Sequence, residues 1–107
     1  MIEFLDSNIC CLKWTPITRG EVDDFSNILS QEEPVDAIVI LDSIKPKEIF
    51  GQLQSYWTAQ KALGKLLVIV AEHASIPNFP ESWAVVPTKT EAIDYILFEQ
   101  MQRDLGI

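Results

Sequence analysis

The chain has 107 residues, of which 48% are hydrophobic, so residues 1–107 can form a single domain with one core that needs no metal or disulfide. The 16 acidic and 8 basic residues give a formal net charge of -8, and the lysines form no cluster, which disfavours a nucleic-acid partner. No apolar run reaches membrane-spanning length and no leading segment has secretory character. We therefore expect a soluble, cytoplasmic protein with no membrane partner.

The N-terminal part predicts a β-hairpin followed by a helix. Two apolar segments, residues 2–5 and 9–14, are separated by residues 6–8, whose residue types favour a tight reversal. Thr18 and Glu21 then have the spacing of a helix capping box. The apolar face of this helix is predicted to contain Val22, Phe25, Ile28 and Leu29.

The two cysteines, Cys10 and Cys11, are neighbours on the second predicted strand. Adjacent residues of a strand point to opposite faces, so a disulfide between these two would be strained. They match neither a redox motif nor a metal site. We expect one thiol in the core and the other outside it.

The central part predicts two parallel strands joined by a helix. Residues 35–41 and 66–70 are apolar runs typical of buried strands, and a loop at residues 42–45 precedes a helix that begins at Pro46. Gly64 stands where a left-handed helix cap is usual. The apolar stripe of the helix is predicted to contain Ile49, Phe50, Leu53, Tyr56, Trp57, Gln60 and Leu63.

The C-terminal part predicts an irregular crossover, to which residues 79–82 could contribute one short turn of helix, then a strand at 83–86 and a last helix. Thr88 and Glu91 form a second capping box. The inner face of the last helix is predicted to contain Ala92, Ile93, Ile96, Leu97 and Met101. Its outer face is predicted to contain Glu99, Gln102, Arg103 and Asp104. The fold class is α/β: a mixed sheet with an N-terminal hairpin, parallel βαβ crossovers and about four helices.

Few residues suggest chemistry. Asp42 follows the first parallel strand, where an acidic residue could bind magnesium, but capping of the loop before Pro46 is the more frequent role. His73, the only histidine, follows the next strand and has no second histidine for a zinc site. Right-handed crossovers would bring both loops to one edge of the sheet, so a small enzyme or small-molecule binder that uses Asp42 and His73 is an alternative. We predict no catalytic residue, metal or cofactor.

The tryptophans are expected mainly in the core, with one alternative. Tyr56 and Trp57 could instead be partly exposed and form a protein-docking patch.

Three segments carry a resemblance to a known family: residues 37–42 (AIVILD), 64–70 (GKLLVIV) and 85–93 (VVPTKTEAI). With the order of elements, they resemble the STAS domain, the family of anti-sigma-factor antagonists, over nearly the whole chain. Residues 91–106 (EAIDYILFEQMQRDLG) resemble a subgroup of small STAS-like proteins encoded beside, and sometimes named after, ribonuclease Z. One histidine cannot hold the two zinc ions of that nuclease class.

The resemblance implies a non-catalytic, regulatory protein-interaction module. STAS proteins typically bind a partner kinase through the loop and helix after the central strand, and phosphorylation of a serine at that helix start ends binding. This chain has Lys45-Pro46-Lys47-Glu48 there, without a hydroxyl group, and Ser43 lies earlier in the loop. The partner would be an anti-sigma-factor-like kinase or, as a further alternative, ribonuclease Z itself, and a homodimer is left open. The predicted partner-binding residues are Ile44, Lys45, Lys47, Glu48, Gln52 and Ser55.

Overall fold

The computed structural model describes residues 2–6, 8–15, 19–29, 35–42 and 44–106, and of residues 19–23 the backbone alone. The strands are β1 (Ile2–Asp6), β2 (Ile9–Trp14), β3 (Asp36–Leu41), β4 (Leu67–Val70) and β5 (Ala84–Val86). The helices are α1 (Arg19–Leu29), α2 (Pro46–Ala62), a 3₁₀ helix (His73–Asn78) and α3 (Lys89–Asp104). None of these helices is both long and apolar enough to cross a membrane.

The five strands form one mixed sheet in the order β1-β2-β3-β4-β5. β1 pairs antiparallel with β2 as the predicted hairpin, and the amide of Asn8 donates to Asp6 Oδ1 at 2.8 Å in the turn. The other three strand pairs, β2–β3, β3–β4 and β4–β5, are parallel. Each pair is connected by a helix or an irregular crossover, which returns the chain to the edge of the sheet where the previous strand began. The predicted α/β class, mixed sheet and hairpin are therefore confirmed.

Apolar side chains alternate along the strands and form two cores, one on each face of the sheet. The first core joins the sheet to α1 and α2 and includes Leu12, Phe25, Val39, Leu53 and Ile69, all fully or almost fully buried. The second joins it to α3 and includes Ile38, Val68 and Ile96. A strand that is buried on both faces has apolar residues at nearly every position, which explains the continuous apolar sequences of β3 and β4.

Local capping residues set the helix boundaries, as the sequence predicts. Pro46 is the first residue of α2, and the amides of Gly64 and Lys65 donate to the carbonyls of Lys61 and Gln60 to end it. Gly64 has φ of 69°, so it takes the left-handed conformation that this ending requires. At the start of α3, Thr88 Oγ1 accepts from the Glu91 amide at 3.1 Å.

Two predictions about the C-terminal part are wrong in part. The short helix lies at His73–Asn78, while residues 80–83 form a turn closed by the bond from the Trp83 amide to the Pro80 carbonyl. On the inner face of α3, Ala92, Ile93 and Ile96 pack against the sheet as predicted, whereas Leu97 and Met101 are exposed. Arg103, predicted on the outer face, instead bonds to the buried Asp36 carboxylate.

The prediction that one cysteine lies outside the core is also wrong. Cys10 and Cys11 do point to opposite faces, but each face of β2 is covered, so both thiols are buried. Burial, reinforced by the neighbouring Cys11, raises the pKa of Cys10 to about 11.

The capping box at Thr18, Ser7 of the turn and Ser43 of the loop lie outside the described residues, as do the side chains of Glu21 and Val22.

Candidate functional site

The carboxyl ends of β3 and β4 meet at one edge of the sheet, as the parallel order requires. The loop after β3 and the segment after β4 enclose a groove of about 320 Å³ there. It is lined by Leu41, Ile44, Lys45, Pro46, Ala71, Glu72 and Ser75. The predicted proximity of the two loops is therefore confirmed, although neither Asp42 nor His73 lines the groove between them.

Asp42 and His73 have separate surroundings. The amide of Asp42 donates to the Trp14 carbonyl at 2.9 Å, which extends the β2–β3 pairing, and its carboxylate lies 3.4 Å from Lys13 Nζ. His73 is exposed at the start of the 3₁₀ helix. In the part of the chain that the structure describes, no group of three or more His, Cys, Asp or Glu residues could hold a metal ion.

The predicted partner-binding residues extend from the loop before α2 to the middle of that helix, and we call them the α2-start surface. They are Ile44, Lys45, Lys47, Glu48, Gln52 and Ser55. All but Ile44 are exposed, and Ile44 packs partly against the core. Lys45 is the N-cap residue of α2 and has an extended backbone without a side-chain cap.

The α2-start surface has two sides, because α2 forms a ridge between two grooves. Lys45 and Lys47 line a groove of about 510 Å³ between α2 and the 3₁₀ helix, together with Pro46, Phe50, Ser75 and Asn78. On the other side, Glu48, Gln52 and Ser55 line a groove of about 560 Å³ between α2 and α1. The lysines therefore lie on one side of the ridge and the carboxylate and amide on the other.

Tyr56 and Trp57 do not form the exposed pair that the docking alternative required. Tyr56 is buried, and its hydroxyl is 2.8 Å from Ser26 Oγ. Trp57 is half-buried and stacks on Trp83 with ring centroids 5.9 Å apart, while Lys61 Nζ lies 4.7 Å from the Trp57 ring centre. The Tyr56 ring packs against Trp14 and Phe25 and so joins α2 to β2 and α1, whereas the Trp57 ring joins α2 to the segment before β5. Both rings are therefore structural.

Sequence reasoning missed a buried polar network at the opposite edge of the sheet. The carboxylate of Asp36 is fully buried and accepts two bonds of 3.0 Å from Arg103, one of 2.8 Å from Gln100 and one of 2.9 Å from the Leu66 amide. Burial alone raises the pKa of Asp36, but the bonds from Arg103, Gln100 and Leu66 outweigh it and hold the pKa below its ordinary value.

The same edge contains a second buried polar side chain, Gln60 of α2. Its Nε2 donates to the carbonyls of Val35 and Leu66 at 2.7 and 2.9 Å. Together with Asp36, it attaches helices on both faces to the starts of β3 and β4. An aspartate inside an otherwise apolar strand is the feature of the sequence that could have indicated this network, because such a carboxylate needs charged partners when it is buried.

No family model, curated protein or solved structure matches this chain.

Proposed function

We propose that this chain is a STAS-like, non-catalytic interaction module that binds another protein through the α2-start surface. The partner is an anti-sigma-factor-like kinase or, as the alternative, ribonuclease Z. The observation that carries the proposal is the pair of exposed lysines at the start of α2, beside a groove at the carboxyl edge of the sheet.

The position of this surface supports the proposal. In open parallel sheets, partners and ligands tend to meet the carboxyl ends of the strands. The α2-start surface lies at that edge, directly after β3, and grooves flank it on both sides. A partner can therefore contact α2 from both sides by inserting side chains into the two grooves.

The charge of the surface gives the interaction its chemistry. The chain has a formal net charge of -8, and within its described part neither Lys45 nor Lys47 forms an ion pair. Two unpaired cations on an acidic protein orient an approaching partner whose contact region is acidic. Pro46 and Phe50 supply apolar contact area in the same groove.

Control of binding by phosphate at the helix start is not part of the proposal. The first residues of α2, Pro46, Lys47 and Glu48, contain no hydroxyl group that could accept it. The Ser55 hydroxyl lies more than two turns later and donates to the Gly51 carbonyl at 3.1 Å. We therefore propose a module whose binding does not depend on phosphorylation at this site.

The experiment begins with affinity capture from the native cell and identification of the retained protein by mass spectrometry. The affinity of that purified partner is then measured for Lys45→Glu/Lys47→Glu and for Glu48→Ala by calorimetry. We expect the double charge reversal to weaken binding by at least about tenfold and to change its salt dependence.

Lys65→Glu is a control for charge reversal elsewhere, because Lys65 lies just beyond the C-terminal end of α2. We expect it to bind like the unmodified protein. Equal affinity of the double variant would contradict the α2-start surface. Retention of ribonuclease Z would select the accessory role over the kinase-like partner.

A further inference from the structure

The outer side of α3 carries large apolar side chains that the described part of the chain does not cover. Leu97, Phe98 and Met101 are 47%, 55% and 54% exposed, and Leu105, the C-cap residue, is 67% exposed. We call these four residues the outer stripe. Tyr95, at 40%, lies beside it.

We propose that the outer stripe is a homodimer interface, in which α3 crosses α3 of a second copy in antiparallel orientation about a two-fold axis at Met101. The inference is separate from the α2-start surface, because α3 and α2 cover opposite faces of the sheet.

The spacing of the stripe is self-complementary. Leu97, Met101 and Leu105 are four residues apart and form one ridge along the helix, and ridges of this kind interdigitate at a crossing angle of about -50°. In a two-fold arrangement Met101 meets Met101 of the second copy, and Leu97 meets Leu105. Leu105 has the αR backbone that continues this ridge past the last helical residue.

The apolar area of the stripe fits what a stable dimer needs. A standard interface buries about 800 Å² per partner, of which about 65% is apolar in homodimers, or roughly 520 Å². A fully exposed aromatic side chain presents roughly 150–250 Å², and a leucine or methionine side chain presents less. At these exposures, the outer stripe and Tyr95 offer on the order of 400 Å², the apolar share of an interface at the low end of the standard range, about 600 Å² per partner.

The charges on α3 favour the antiparallel orientation. Glu91 and Asp94 lie toward the start of the helix, while the apolar ridge occupies its second half. An antiparallel crossing at Met101 places the two Asp94 positions roughly 20 Å apart, more than two Debye lengths at physiological salt. A parallel pair would align these carboxylates in two acidic copies.

The oligomeric state tests the proposal directly. Sedimentation equilibrium across about three decades of concentration is expected to show a mass that rises toward twice 12.1 kDa. Met101→Glu places two carboxylates on the axis and is expected to raise the dissociation constant by about 100-fold or more. Phe4→Glu is the matched control, because Phe4 is 53% exposed on β1. Its neighbour Glu3 pairs with Lys89 of α3, so Phe4 points to the opposite face of the sheet, and the Phe4→Glu variant is expected to remain a dimer.

Cross-linking supplies a second measurement that does not depend on the glutamate variant. Both native cysteines are buried, so an added surface thiol reacts against a low background. Met101→Cys is expected to form a disulfide-linked dimer under mild oxidation, while Asp94→Cys, far from the axis, is expected to remain uncross-linked.

Three results would overturn the proposal: a monomer at every concentration, a dimer that Met101→Glu leaves intact, or equal cross-linking of the two cysteine variants. A protein that stays monomeric and binds phosphatidylcholine vesicles through the outer stripe would also overturn the proposal.

Discussion

The bidentate pair between Asp36 and Arg103 joins the start of β3 to the last turn of α3, and its removal is the sharpest test of how α3 is held. We consider Arg103→Met, which keeps most of the apolar stem and removes the guanidinium. The variant leaves the Asp36 carboxylate, fully buried, with Gln100 and the Leu66 amide as its remaining donors.

The structure sets the expected magnitude. Removal of one partner of a buried ion pair costs about 3–5 kcal/mol, because the other charge stays buried without compensation. The Arg103 side chain is 34% exposed, so water can approach the carboxylate in the variant. We therefore expect the lower end of the range, about 3 kcal/mol of the free energy of unfolding.

The pH dependence gives this prediction its specific signature. The lowered pKa of Asp36 contributes stability that is fully present above the ordinary value of 3.8 and is lost as the pH falls through the folded-state pKa. Without Arg103, burial raises the pKa of Asp36 relative to the unmodified protein, so the carboxylate is protonated sooner on acidification. The penalty of Arg103→Met is thus expected to be largest near neutral pH and to shrink below about pH 4.

Urea unfolding, followed by tryptophan fluorescence at one fixed protein concentration, measures both effects. Lys89→Met is the matched control, since Lys89 lies on the same helix and pairs at 2.8 Å with Glu3 in an exposed position. Its expected cost is under about 1 kcal/mol. The reasoning is refuted if the two variants cost the same at neutral pH, or if the penalty of Arg103→Met is unchanged in acid.

Three further predictions concern capping, backbone conformation and thiol burial. Thr88→Ala is expected to cost about 1 kcal/mol in urea unfolding because the Glu91 amide loses its acceptor, and Thr88→Ser should restore most of it. Gly64→Ala should destabilise the protein by about 1 kcal/mol, because the backbone at Gly64 has φ of 69°. Gly51→Ala should stabilise it by about 0.5–1 kcal/mol, because Gly51 lies inside α2 with open space around it. Equal effects of the two variants would contradict the left-handed conformation at the end of α2. Cys10 and Cys11 should react with a thiol reagent at pH about 8 only after unfolding, because burial raises the pKa of both, and rapid reaction of the folded protein would contradict their placement.

Much of the architecture follows from local sequence patterns. The turn residues at 6–8, Pro46 and Thr88 at helix starts, and Gly64 at a helix end each act within a few residues, so their effect can be deduced without knowing the fold. The apolar runs of β3 and β4 indicated strands buried on both faces, and the parallel order that follows brought the loops after them to one edge.

The placement of individual side chains at the candidate site depended on the tertiary structure. The six residues of the α2-start surface were predicted through the family resemblance, but their division between two grooves depends on where α1 and the 3₁₀ helix lie against α2. Asp42 could be placed after β3, whereas its contact with Lys13 depends on the pairing of β2 with β3.

The second half of α3 shows why the sequence was insufficient to predict which side chains face the sheet. Apolar residues surround much of this helix, so several faces could be turned inward with similar burial of apolar area. The tertiary structure selects one of these faces. Ile96, Gln100 and Arg103 lie along one side of α3, and the buried Asp36 carboxylate requires hydrogen bonds from Gln100 and Arg103. A buried carboxylate without donors costs more than exposed leucine and methionine side chains, so the polar contact determines which side of α3 faces inward and leaves the outer stripe exposed.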